Sequence, residues 1–435
     1  MDPNLIAIII IAVFLTLLFA GTPIFASLGL AAILGILLLQ GPAGLGAVPS
    51  IIYDRLRSFV LVAVPLFILM GEVIFYTGMG RDIYTLASRW LSRLPGGLAI
   101  SSVAACAIFA AMCGVSVAGA ATVGAFAIPE MLNRKYDKCL ATGSVAAGGA
   151  LALLIPPSIG FILYGEVADE SVGMLFVGGI VPGIILALMM MTYIGIRVRL
   201  QPKLAPPTGE VITWKMRFSS LSRVWPVLLL ILAVLGSIYL GVTTPTEAAA
   251  VGVIISLVLA FFVYRSLNWQ MLRSILRRAL LTSGMILLIF ACAMLFGYVL
   301  SLLKIPRLLV GFIGQAEWPT WVVLAAIMGV LIVMGMFVDA VSVIAISTPL
   351  LIPIIEFLGY NTLWFGIVMV ITLEMAVITP PVGLNLYVIK GIAPEGVSLV
   401  DIIRGVLPFI AVEIVCLAIF VASPTLTLWL PRTMF

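Results

Sequence analysis

Two Pro-Pro pairs, at 156–157 and 380–381, interrupt apolar stretches of this 435-residue sequence and expose groups that can bind ions. Adjacent prolines lack backbone donors and clash with the preceding turn, so no helix runs through them intact. The freed carbonyl oxygens need partners, because an unsatisfied backbone group in a bilayer is costly. Each break is therefore a candidate binding site, and the alternative is a packing kink that neighbouring helices relieve. The surrounding oxygen-bearing residues are Pro156 and Ser158 in the first break, and Thr379, Gly383 and Asn385 in the second.

Two long apolar segments, 96–132 and 318–357, could bring further oxygen atoms to these breaks. Each is too long for one crossing, which takes about 20 residues. Their centres, around Gly114 and Ser116 in the first and Asp339 and Ser342 in the second, hold almost no charge. We interpret both as re-entrant hairpins with small-residue tips inside the protein. The alternative is two full spans joined by a tight loop.

The composition indicates which elements must hold these residues. Hydrophobic residues make up 63% of the chain and charged residues 9%, whereas roughly a quarter of the residues in soluble domains are charged. The apolar runs do not alternate with the two-residue period of an outer-membrane barrel. The sequence therefore predicts an all-α polytopic membrane protein. The first apolar stretch, 5–20, lacks a basic flank and a cleavage site, so we expect it to be retained as a helix.

The cations set the expected orientation. The linker between the two halves is rich in Lys and Arg, and a cytoplasmic linker places both termini in the periplasm. Five cations then lie outside, and the other 18 of the 23 Lys and Arg lie inside. This bias agrees with the positive-inside rule. The five outside are Arg55, Arg57, Lys304, Arg307 and Arg432.

The second half of the chain repeats the first with a shift of roughly 222 to 224 residues, which aligns the two Pro-Pro pairs. An odd number of crossings in the first half predicts that the second copy is inverted, as in secondary transporters. The first repeat, 1–198, comprises scaffold helices within 5–76, an arm at 79–94, the hairpin at 96–132, a broken helix at 139–168 and a helix at 173–196. After the linker, 199–223, the second repeat, 224–435, comprises scaffold helices within 224–302, an arm at 303–314, the hairpin at 318–357, a broken helix at 362–389 and a helix at 398–422. The scaffold helices of this repeat are expected at 224–241, 246–264 and 281–302, which leaves the arginines between 265 and 278 in a loop.

Four stretches of the sequence resemble the large membrane subunit of tripartite ATP-independent periplasmic (TRAP) transporters. They are the first tip at 114–121, the two breaks at 155–165 and 379–386, and the Thr-Thr-Pro-Thr-Glu stretch at 243–247. The resemblance covers essentially the whole chain and implies sodium-coupled import of an organic acid by an elevator mechanism. It also implies a periplasmic substrate-binding protein and a small four-helix membrane subunit as partners, in the bacterial inner membrane. One departure is in the segment Ile371-Thr372-Leu373-Glu374, where many relatives carry an Asn near the start.

Sodium is a hard ion that prefers oxygen ligands, so the tips and breaks suit it. By symmetry, one sodium would lie between the first tip and first break, and a second between the second tip and second break. The anionic substrate would lie between them and meet helix N-termini and hydroxyl or amide groups. For each serine, the alternative is a hydroxyl that bonds its own helix. The predicted sodium ligands are Gly114, Ser116, Pro156, Ser158, Asp339, Ser342, Thr379, Gly383 and Asn385, and the predicted substrate ligands are Ser116, Ser158, Ser342 and Asn385.

Carboxylates inside a membrane are functional candidates by default. Asp339, at the second tip, is the best candidate for binding an ion, with a helix cap as the alternative. Glu374 fits a ligand, a proton carrier or a packing partner equally well. Glu247 fits a capping box with Thr244 and a proline at N1. Glu72 and Glu413 have no assigned role.

Three other functions compete with this interpretation. A carrier for C4-dicarboxylates or similar acids could work without a binding protein, and its uptake would need no partner. An intramembrane protease is disfavoured, because the sequence contains no histidine for a zinc site or a Ser-His dyad. A channel is disfavoured by the paired hairpins. The sequence has no Walker A lysine, so we do not expect ATP hydrolysis by this chain to drive transport. The sequence leaves C4-dicarboxylates, sialic acid and other sugar acids open as substrates.

Overall fold

The computed structural model describes residues 3–206 and 212–434, and within these ranges it contains helices and no β-strand. Seven helices in the described ranges are long and apolar enough to cross a membrane, or eight if the bent pair Trp214–Leu221 and Trp225–Tyr239 counts as one span. The predicted all-α polytopic fold is therefore confirmed.

The helices of the first half are Pro3–Phe19, Ile24–Gln40, Ala47–Leu56, Val60–Thr77, Met79–Leu91, Gly97–Cys113, Ser116–Asn133, Lys138–Leu153, Ile159–Ala168 and Val172–Leu200. Those of the second half are Trp214–Leu221, Trp225–Tyr239, Pro245–Val263, Trp269–Leu302, Ile305–Ala316, Thr320–Phe337, Ala340–Phe357, Thr362–Ala376, Leu384–Ile392, Leu399–Ala422 and Thr425–Met434. The order of arm, hairpin, broken helix and long helix recurs in both halves, as the sequence predicts.

Both predicted hairpins are present, and each turns within two residues. The first tip is Gly114-Val115, and the second is Val338-Asp339. Gly114 has φ +63°, the left-handed conformation that glycine adopts without strain. Ser116, which follows the first tip, is only 5% exposed. The first tip therefore lies inside the protein. Re-entry of the hairpins stays a prediction, because Thr320–Phe337 and Ala340–Phe357 of the second hairpin are each long and apolar enough to cross a membrane.

Both predicted broken helices are also present, and the Pro-Pro pairs lie in the gaps. The first break spans 154–158 and the second spans 377–383. Side-chain caps fix where each broken helix begins: Asp137 accepts a hydrogen bond from the Leu140 amide, and Asn361 accepts one from the Trp364 amide. The peptide bond within each Pro-Pro pair is cis.

The two broken helices pack antiparallel to each other. Near the end of the first, the Tyr164 hydroxyl donates to the Thr362 carbonyl at the start of the second, at 2.6 Å. In the other direction, the Asn385 amide beyond the second break donates to the Ala146 carbonyl before the first break, at 3.3 Å. Inverted repeats require this relation, so the contacts agree with the predicted repeat.

The structure corrects several predicted boundaries. The helix expected at 281–302 is Trp269–Leu302, which Asn268 caps, and its first three turns carry the arginines that the sequence had placed in a loop. The polar linker contains the helix Trp214–Leu221, and its residues 207–211 lie outside the described ranges. The helices Ala47–Leu56 and Thr425–Met434 were not predicted, because neither forms an apolar run long enough to cross a membrane.

Candidate functional site

The first tip packs directly against the first break, as predicted. A Cβ atom built on Gly114 would lie 2.2 Å from the Pro157 carbonyl oxygen. Ordinary van der Waals contacts of a Cβ are at 3.4 Å or more. Glycine is therefore the residue that allows this approach of one backbone to the other.

The first tip also contacts the second break, which the symmetric arrangement did not predict. The Asn385 Nδ2 donates to the Ser116 Oγ at 2.8 Å, and the two residues are 269 positions apart in the sequence. Asn385 is fully buried. The structure therefore brings Asn385 to the first tip, beside Ser116, with which it shares a predicted role as substrate ligand. Its other predicted role, as a sodium ligand with the second tip, stays a prediction.

The second tip packs against the second break through its backbone. The Gly383 amide donates to the Met336 carbonyl at 3.2 Å. Asp339 caps the helix that follows the tip, since its Oδ2 accepts from the Ser342 amide at 2.9 Å and its Oδ1 accepts from the Ser342 hydroxyl. The cap predicted as the alternative role of Asp339 is present, and ion coordination by its carboxylate stays a prediction.

Two of the predicted hydroxyl ligands bond backbone groups of the half-helices next to their own break. The Ser158 hydroxyl donates to the Leu153 carbonyl and accepts a hydrogen bond from the Phe161 amide at 3.4 Å, so it caps Ile159–Ala168. The Thr379 hydroxyl donates to the Met375 carbonyl at 2.6 Å. These contacts are the local bonding that we weighed against a ligand role for serine.

A cavity of about 410 Å³ lies where the tips and breaks meet. Of the predicted site residues, four line it: Gly114, Ser116, Asp339 and Asn385. The other five do not line it, namely Pro156, Ser158, Ser342, Thr379 and Gly383. Hydroxyl, amide and carboxylate oxygens of the lining residues are the hard donors that sodium prefers, so the donor set fits this ion.

Four helices begin at this cavity, and each contributes its first residue to the lining: Ser116, Ile159, Ala340 and Leu384. A helix N-terminus carries roughly half a positive charge. Side chains of Ser158 and Asp339 cap two of these helices. No side chain caps the helices that begin at Ser116 and Leu384. The lining therefore includes two uncapped helix N-termini that favour an anion.

The cavity lining also includes an ionisable pair that the sequence analysis did not connect. Glu72 of Val60–Thr77 and Arg278 of Trp269–Leu302 both line it, and the two side chains attract each other. The Arg278 guanidinium also lies 5.6 Å from the centre of the Tyr76 ring. Tyr76 lies one turn after Glu72, so the two side chains lie on the same face of the helix. This spacing is the one local signal in the sequence that they could share a partner such as Arg278.

The sequence comparisons decide the family. The model of the tripartite ATP-independent periplasmic transporter, DctM component, matches residues 11–426. The chain belongs to this family. The resemblance in the sequence analysis is confirmed, and the chain is a multi-pass transporter permease rather than an enzyme. An intramembrane protease is thereby ruled out.

Curated TRAP permeases with different substrates resemble the chain over most of their length. It is 36% identical to the C4-dicarboxylate TRAP transporter large permease protein DctM of Pseudomonas aeruginosa, over 93% of the chain and 94% of that protein. It is 30% identical to the ectoine permease TeaC of Halomonas elongata, over 97% and 98%. It is also 30% identical to the sialic acid permease SiaM of Vibrio cholerae, over 96% of each.

A solved structure supports the fold of this TRAP permease. The crystal structure of the Alcanivorax borkumensis YdaH transporter, which is described as having an unusual topology, aligns with a TM-score of 0.60 at 14% identity. The alignment covers 91% of this chain and 90% of that one. At this identity the similarity concerns the fold alone.

The capping role predicted for Glu247 is confirmed. The Glu247 carboxylate accepts a hydrogen bond from the Thr244 amide at 2.8 Å, and the Thr244 hydroxyl accepts one from the Glu247 amide at 3.3 Å. This is a complete capping box with Pro245 at N1. The Thr-Thr-Pro-Thr-Glu stretch of this TRAP permease therefore has a structural role.

Proposed function

We propose that this TRAP permease imports an organic acid by sodium symport, with the substrate delivered by a periplasmic binding protein. A small four-helix membrane subunit would complete the transporter in the bacterial inner membrane. The observation that carries this proposal is the cavity at which two uncapped helix N-termini and the Ser116–Asn385 pair meet. The three relatives described above are named for C4-dicarboxylate, ectoine and sialic acid, so relatedness leaves the acid open.

The cavity offers both signs of charge to its ligands. The uncapped N-termini at Ser116 and Leu384 favour a carboxylate, and the Asp339 carboxylate favours a cation beside it. Bound sodium would add positive charge close to the substrate and reduce the cost of burying an anion. When bound, sodium supplies this charge, and the residues of the chain hold and separate the two ligands.

Transport would use an elevator motion of the hairpins and broken helices against the scaffold helices. The antiparallel broken helices support the inverted repeat on which such a motion depends. In the proposed orientation Arg278 lies on the cytoplasmic side, because it precedes the apolar part of Trp269–Leu302 by few residues. The cavity with Arg278 in its lining would then be the inward-facing site, from which the acid leaves toward the cytoplasm.

The membrane potential can drive this cycle. Moving one elementary charge inward yields roughly 2.3 kcal/mol per 100 mV. A dicarboxylate needs at least two sodium ions for electroneutral entry, and a third would make each cycle electrogenic. Counting the charges moved per substrate would therefore separate one, two and three sodium ions.

The test is uptake of radiolabelled acids by the complete transporter in proteoliposomes, with an inward sodium gradient or with potassium in its place. We expect uptake that saturates, requires sodium and requires the binding protein. Uptake without the binding protein would favour the partner-independent carrier instead. Uptake that persists in potassium would overturn the sodium coupling.

A matched pair of variants tests the cavity. Arg278→Gln removes the cation that lines it, whereas Arg277→Gln removes an exposed neighbour that does not line it. We expect the first variant to lower the rate of uptake or to raise the half-saturating substrate concentration, and the second to behave like the wild type. Equal uptake by both variants would mean that the acid does not pass Arg278.

A further inference from the structure

Two carboxyl groups lie in the protein interior away from the cavity. Glu374 is in the first half of the second broken helix, and Glu413 is in Leu399–Ala422. They are 0% and 1% exposed. All four of their carboxyl oxygens are buried and lack a hydrogen-bond partner among the described residues. Buried polar groups without a partner are rare in folded proteins and call for an explanation.

The two carboxyl groups are close enough to repel each other, and the buried Cys416 thiol interacts with both. Within the described ranges, no Lys or Arg forms a salt bridge with either carboxyl group. Ionisable groups on the helices packed around the pair have other partners. Arg197 donates to Tyr193, Lys138 donates to the Gly396 carbonyl, and Tyr164 donates to the Thr362 carbonyl.

The surroundings of Glu374 and Glu413 indicate which ligand the two carboxyl groups can bind. A divalent ion needs several oxygen ligands, and the described residues contain no group of three His, Cys, Asp or Glu that could hold a metal ion. A proton needs a single oxygen atom and removes the cost of burying a charge. Two adjacent carboxylates also repel each other, which further favours at least one proton on the pair.

We propose that Glu374 and Glu413 form a proton-binding pair, and that protons bound there cross the membrane with the moving part of the transporter. On one side a proton from water forms an O–H bond with a carboxyl oxygen, and on the other side this bond breaks and the proton returns to water. The pair would thus add a proton-coupled step to transport. Binding of protons by the pair does not depend on the proposed function, whereas the coupling of protons to transport rests on it.

The position of the pair supports a mobile site. Glu374 lies three residues before the second break, on the half-helix that leads to the cavity. The helix that carries Glu413 packs backbone to backbone on the first broken helix, since a Cβ on Gly405 would lie 2.2 Å from the Cys139 carbonyl oxygen. Both carboxyl groups therefore lie in the second repeat, one on the second broken helix and one on a helix that packs against the first broken helix, and the pair would move with the two broken helices.

The first experiment measures protonation without transport. Infrared spectra of the purified chain at neutral pH are compared for the wild type and the double variant Glu374→Gln, Glu413→Gln. We expect the double variant to lose intensity in the carbonyl stretch of protonated carboxyl groups. Glu247→Gln, at an exposed cap, should leave this band unchanged. An unchanged band in the double variant would overturn the proposal.

The second experiment measures coupling in proteoliposomes with the complete transporter and a fixed sodium gradient. If one proton crosses per cycle, an inward gradient of one pH unit raises substrate accumulation about tenfold. We expect this rise in the wild type and its loss in the double glutamine variant, with sodium dependence kept in both. The same response in both proteins, or none in the wild type, would overturn the coupling.

A pH-sensitive dye inside the wild-type vesicles tests the coupling even if the double variant does not fold. Acidification of the lumen when substrate is added would support the coupling, and substrate uptake without acidification would overturn it. Failure of all sodium-driven uptake would instead refute the proposed function. The infrared result would still decide whether the pair binds protons.

Discussion

Replacing Gly114 by alanine tests whether contact between the first tip and the first break forms an ion site. The added Cβ would lie 2.2 Å from the Pro157 carbonyl oxygen, and ordinary contact begins at 3.4 Å. Tip and break must therefore separate by about 1.2 Å, the difference between these distances. The obstacle is a backbone carbonyl, which cannot turn aside as the end of a flexible side chain can.

Two contributions to the effect can be separated. Gly114 has φ +63°, and an L-residue with a side chain pays roughly 1 to 2 kcal/mol in the left-handed region. The displacement adds a change of geometry at the proposed sodium site. Perturbing residues that orient metal ligands typically costs about 10- to 100-fold in affinity. We therefore expect the sodium concentration for half-maximal uptake to rise by about one to two orders of magnitude.

Gly78→Ala is the matched control. Gly78 also has a left-handed φ, +83°, but a Cβ there would meet nothing within 4 Å. This variant carries the backbone strain without the displacement, so it should lose stability and keep the sodium dependence of the wild type. Sodium titrations of proteoliposome uptake compare the two. If both variants titrate like the wild type, contact between tip and break does not form the ion site.

Three further substitutions test individual contacts. In a double-mutant cycle, Ser116→Ala and Asn385→Ala should show a coupling of about 1 kcal/mol in unfolding free energy, and additive losses would contradict the buried hydrogen bond. Asp339→Asn keeps a good helix cap but removes the charge. It should therefore weaken the sodium dependence of uptake and cost less stability than Asp339→Ala. Unchanged sodium titrations in both variants would show that Asp339 is not part of the ion site. Arg217→Ala removes the guanidinium 4.9 Å from the Trp214 ring and should speed proteolysis of the linker, and equal cleavage rates would refute this packing.

The sequence predicts the hairpins and breaks well because their signals are local. Pro-Pro pairs remove backbone donors wherever they occur, and an uncharged segment twice the length of a span must turn back. The predicted start of the helix Trp269–Leu302, at residue 281, was wrong for the converse reason. Its arginines indicated a loop, yet the Asn268 cap and good helix formers extend the helix beyond its apolar part.

The site was harder to predict because it depends on how the two halves meet. Symmetry paired each tip with the break of its own repeat, and Gly114 and Gly383 follow that rule. Asn385 does not, since its side chain reaches the first tip. Arg278 belongs to the cavity lining because a scaffold helix extends past its apolar part, and the one-turn spacing of Glu72 and Tyr76 is the one local sign of it in the sequence.

The acidic residues of the helices differ in what offsets their charge, and this difference separates their roles. Glu247 is exposed and accepts hydrogen bonds at a helix start, and Asp339 does the same beside the cavity. Glu72 is attracted by an arginine of the neighbouring helix. The carboxyl oxygens of Glu374 and Glu413 are buried and have no hydrogen-bond partner among the described residues. Replacing Glu374 and Glu413 by glutamine places no charge in the protein interior. Replacing Asp339 by asparagine instead removes a negative charge that can hold a cation at the cavity.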